Sequence, residues 1–72
     1  MMIVIQKISD GNVQSQSTHT VTTWAGVKRL IGQNRMAPYN RAVMTRETGK
    51  LLGNKPDDID IMVVNDLSVL FS

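Results

Sequence analysis

Residues 22–53 read TTWAGVKRLIGQNRMAPYNRAVMTRETGKLLG, and the way this stretch is divided decides the fold. Trp24, Val27, Leu30 and Ile31 recur at helical spacing, with Arg29 on the opposite side. A threonine at 22 or 23 can cap such a helix by accepting a backbone N–H, and Gly32 suits the position just past its end. Trp24–Ile31 is therefore expected to be a first short helix. Ala37-Pro38 then resembles a helix start, because proline fits the first turn. Val43, Met44 and Leu51 share one face at about 100° per residue. The spacing predicts a second helix from about Pro38 to Leu52, less regular than the first. Glu47 falls in the middle of its apolar stripe, and Gly49 weakens it by about 1 kcal/mol relative to alanine.

Upstream, Ile3-Val4-Ile5-Gln6-Lys7-Ile8 is short and β-branched, and reads as an interior strand. Asp10-Gly11 tolerates the positive φ of a tight hairpin. Val13–Val21 is the return strand. It is almost wholly polar, which places it at an edge and leaves its register weakly set. Downstream, Ile59–Val64 reads as a third strand. Asn65-Asp66 signals a turn, and Leu67–Phe71 reads as a short last strand. The expected class is α+β: one domain over residues 1–72, order β-β-α-α-β-β. A mainly antiparallel sheet carries two short helices. This order is shared by too many small domains to point to a family.

Composition removes several chemistries. There is no cysteine, so no disulfide forms, and one histidine cannot supply a zinc site. No cofactor or metal is expected. No apolar run reaches the roughly 18 residues needed to span a bilayer, so no membrane partner is expected. The N-terminus lacks the basic start of a signal peptide and reads as that of an intact short product beginning with a strand. The absence of cysteine fits a reducing cytoplasm, the expected localisation.

The net charge of +2 hides a polarised chain. Between positions 28 and 55, seven basic residues face the single acid Glu47; elsewhere Lys7 faces Asp10, Asp57, Asp58, Asp60 and Asp66. Lys28, Arg29, Arg35, Tyr39, Arg41, Arg46 and Lys50 are the candidate partner-binding residues. On the expected second helix, Tyr39, Arg46 and Lys50 would form one ridge. Such a surface attracts acidic proteins or phosphates through its field.

Catalytic sets are weaker. Asp58 and Asp60 share one side of a strand and can hold Mg²⁺ only beside a phosphate ligand; a solvated strand start is the simpler reading. Ser17 and His19 also share a strand side, with no acid placed to orient the histidine. Glu47, between Val43 and Leu51, is a desolvated acid/base if it is buried, and a surface partner of Lys50 if it is not.

The function expected is thus non-enzymatic: a small binding protein, an adaptor or inhibitor such as a bacteriophage or mobile-element accessory protein. It would occupy an acidic partner surface through its basic helical segment. A nucleic-acid-binding regulator using the same segment is the alternative. A small enzyme or enzyme subunit using Glu47 ranks last. A homodimer is also expected, because two helices cover one face of a small sheet and leave Val4, Met62, Val64 and Leu70 open on the other. It would form through that face or through an edge strand.

Overall fold

In a computed structural model, which describes residues 1–32 and 38–72, the chain builds a four-stranded mixed sheet with one α-helix. Strand β1 (Met2–Ser9) turns at Asp10-Gly11 into β2 (Asn12–Thr20). Both turn residues have positive φ, 53° and 78°, as a tight hairpin requires. Helix α1 (Trp24–Ile31) follows. Thr23 Oγ1 accepts from the Gly26 N–H at 3.0 Å, and Gly32 closes the helix at φ 74°. Next come β3 (Tyr39–Met44), a 3-10 helix (Arg46–Lys50), β4 (Asp60–Val63) and a C-terminal 3-10 helix (Leu67–Phe71).

The sheet order is β2-β1-β3-β4, with β1 antiparallel to both neighbours and β3 parallel to β4. Direct partners across the strands share a face. Ile3, Ile5, Ala42 and Met44 face α1 and form the core with Val21, Trp24, Val27, Ile31 and Leu51. Val4, Gln6, Ile8, Arg41 and Val43 look the other way.

Three expectations need correction. Among the described residues there is no second α-helix. Tyr39–Met44 is an interior strand, and Arg46–Lys50 is a single 3-10 helix. Ala42, Val43 and Met44 are consecutive and all buried, which a strand covered on both faces permits and a surface helix does not. The last strand is likewise a 3-10 helix, so the expected second hairpin gives way to a parallel β3–β4 pair. A parallel pair needs a long crossover, here residues 45–59. The crossover is tied to the start of α1, with Trp24 N–H donating to the Leu52 carbonyl at 2.9 Å and Leu52 N–H to that of Thr22 at 3.0 Å.

The second sheet face is not open either. Val4 and Val43 on that face have no exposed surface, and Met62, Val64 and Leu70 are half-buried. A polar ladder ties the C-terminal 3-10 helix to this face. Arg41 donates to Gln6 Oε1 through Nε and Nη2, at 3.1 and 2.6 Å. Gln6 Nε2 donates to Gln16 Oε1 at 2.9 Å, and Gln16 Nε2 to the Leu70 carbonyl at 2.8 Å. Both polar atoms of the Gln6 side chain, only 3 % exposed, thereby have partners, as buried polar groups generally do.

Asp66 starts that C-terminal helix by accepting from the Ser68 N–H at 2.9 Å, and this bond holds its carboxyl below the ordinary carboxylate range. A depressed folded value stabilises the capped form above the unfolded value and is lost as pH falls through it. Acid titration below about pH 4 is therefore expected to loosen residues 67–71. Amide chemical shifts of Ser68 and Val69 that stay constant down to acid unfolding would contradict this.

Candidate functional site

The expected basic ridge does not exist, because the helix that would align it is a strand and a 3-10 helix. Tyr39 and Arg41 lie on β3, half-buried on the second sheet face, and Arg41 is engaged with Gln6. Arg29 is exposed on α1. Arg46 and Lys50 are exposed on the first 3-10 helix, and Lys28 pairs with Asp58 at 3.1 Å. Arg35 lies outside the described residues. Glu47 is exposed and sits 3.6 Å from Lys50. Ser17 Oγ and His19 Nε2 do meet, at 2.8 Å, on an exposed edge strand. Among the described residues no group of three His, Cys, Asp or Glu gathers as a metal site.

What the fold does bring together is a surface around Leu52. This side chain is 67 % exposed and stands between two adjoining clefts. The larger, about 760 Å³, runs between the first turn of α1 (Thr23, Ala25, Lys28) and the crossover segment from Leu52 to Asp58. The smaller, about 460 Å³, lies among Val21, Thr22, Glu47, Lys50 and Leu51. Lys28, Lys50 and Lys55 therefore stand around one apolar side chain, on a rim that also carries Asp57, Asp58 and Glu47, with Lys28 paired to Asp58 and Lys50 near Glu47. The backbone of Leu52 is bonded on both sides to residues 22–24, so Leu52 is held in place rather than left on a loose loop.

The sequence holds a signal for this site: the pair Leu51-Leu52 before Gly53. Leu52 bridges to Thr23 in extended backbone, where successive side chains point to opposite sides. Leu51 is buried with α1 and Leu52 is turned outward.

The chain matches no protein-family model, no curated protein and no solved structure. No helix among the described residues is long and apolar enough to cross a membrane.

Proposed function

We propose that this protein is a non-enzymatic binding module that docks on an acidic protein surface through Leu52 and the cations around it. The observation that carries this reading is the rigidly held, exposed leucine between two clefts, on a polar rim of Lys28, Lys50 and Lys55 with Asp57, Asp58 and Glu47. An apolar anchor inside a polar rim is the usual anatomy of a protein interface. Arg29 and Arg46, both exposed, add to the positive field that would steer an acidic partner. Nucleic acid fits less well, because the cations are dispersed over α1, the 3-10 helix and both sides of the sheet rather than along one groove. The homodimer expected from the sequence belongs to a different surface, the free edge of β2.

The test compares three baits in one cell lysate: wild type, Leu52→Ser, and Arg46→Glu with Lys50→Glu. All three positions are exposed, so melting temperatures should agree. A protein captured by wild type should bind about tenfold more weakly to each variant. A partner held equally by all three baits would place the interface elsewhere. Titration with generic DNA and RNA at low and high salt separates the alternative. Affinity that falls steeply with salt and is indifferent to Leu52→Ser would favour the nucleic-acid reading.

A further inference from the structure

We propose that two copies of this chain join through the free edge of β2, in a fixed antiparallel register centred on Thr18, to form one continuous eight-stranded sheet. The register follows from the hydrogen bonds of the hairpin. Met1 and Val21 exchange both backbone bonds, N–H to carbonyl, at 2.9 Å each way. Residue pairs in an antiparallel ladder alternate between bonded and unbonded. The aligned pairs Ile3–His19, Ile5–Ser17 and Lys7–Ser15 are therefore the bonded ones. On β2, the N–H and C=O groups of Ser15, Ser17 and His19 turn inward to β1. Those of Gln16, Thr18 and Thr20 turn outward, to an edge where the sheet order places no further strand.

The composition of that edge selects the occupant. Native sheets protect free edges with charge, proline, bulges or short length. The opposite edge is protected in this way: β4 has four residues, carries Asp60 and follows Asp57 and Asp58. Strand β2 has nine residues with no Asp, Glu, Lys, Arg or Pro. Its one irregularity, a bulge where the register shifts between Lys7 and Ile8, lies near the hairpin turn and leaves Ser15–Thr20 regular. A strand without charge has nothing to attract a charged partner and nothing to repel its own copy.

Centred on Thr18, the pairing sets Thr18 against Thr18 on the two-fold axis and Gln16 against Thr20 on either side. Three bonded pairs give roughly six backbone hydrogen bonds. On the α1 side of the sheet, Ser17 stands opposite His19 of the second copy. The Ser17–His19 contact within one strand shows that these side chains hydrogen-bond at such range. Threonine pairs and Ser/Thr hydrogen bonds of this kind are favourable across strands. Shifting the centre to His19 would instead bring the two imidazoles together.

Sedimentation equilibrium and circular dichroism on the purified full chain test the proposal. Wild type should move from 8.0 kDa toward twice that mass as concentration rises from micromolar to millimolar. Thr18→Lys changes an exposed side chain, so the fold should persist, but it sets like charges face to face on the axis. It should remain monomeric over the same range, as should Thr18→Glu. An equimolar mixture of these two variants should recover the dimer, and added salt should weaken it. Thr18→Pro should also be monomeric, because it removes only an outward N–H. A wild type of 8.0 kDa at every concentration overturns the proposal. So does a Thr18→Lys protein that dimerises like wild type, or a mixture of the charge variants that stays monomeric while wild type dimerises.

Discussion

Replacing Trp24 by alanine is expected to destabilise the protein by about 3–5 kcal/mol, the usual cost of truncating a buried tryptophan. For a domain of this size that is close to the whole net stability. Trp24 is 5 % exposed at the first turn of α1, and its N–H is bonded to the Leu52 carbonyl. It belongs to the core that includes Ile3, Ile5, Ala42 and Met44. The substitution therefore opens a cavity at the point where helix, sheet and crossover meet. Thermal and urea unfolding followed by circular dichroism should show a largely lost cooperative transition at ambient temperature. A transition within a few degrees of wild type would mean that Trp24 carries little of the packing. Loss of Leu52-dependent binding should accompany the destabilisation, since the crossover that displays Leu52 is hung on the backbone of residues 22–24.

The parts of the fold that were legible in the sequence are those set by local chemistry. Asp10-Gly11 has a conformational requirement that few residue pairs meet, and it made the hairpin readable. Thr23 and Gly32 mark the ends of α1 in the same way. The parts misread are those decided by tertiary contacts. A strand covered on both faces shows no alternation, so Ala42-Val43-Met44 matched a helical stripe as well as a strand. The discordant residues were Glu47 and Gly49, which a buried helix face would not tolerate and which the structure exposes on a 3-10 turn. With the helix went the ridge of Tyr39, Arg46 and Lys50. Of the expected basic set, Lys28 and Lys50 flank the proposed docking surface, while Arg41 became part of a structural ladder. Leu52 was missed because its outward turn depends on a crossover whose length only the parallel β3–β4 pairing requires. The homodimer argument changed its footing too. The second sheet face, expected to be open, is covered by the chain itself, and the edge of β2 remains.

Removing Leu67–Ser72 should have an effect as large as the tryptophan substitution. Leu67 and Leu70 are three apart, one turn of a 3-10 helix, and both are half-buried, while Ser68, Val69 and Phe71 are exposed. The helix thus turns its two leucines toward the second sheet face. That face carries Val4 and Val43, with no exposed surface. Uncovering two fully buried valines and losing the packing of two leucines costs on the order of 3–5 kcal/mol. The truncation also removes the Leu70 carbonyl that accepts from Gln16, freeing one end of the ladder through Gln6 to Arg41. The shortened chain is expected either to lose its cooperative transition or to bury the uncovered face against other copies. Circular dichroism separates these outcomes when combined with sedimentation of the truncated chain carrying Thr18→Lys, in which edge pairing is blocked. Leu67→Ser with Leu70→Ser keeps the chain length and the Leu70 carbonyl, and should move stability in the same direction by less. A truncated protein that is monomeric and melts with wild type would show that Val4 and Val43 are shielded by other residues and that the C-terminal helix is dispensable.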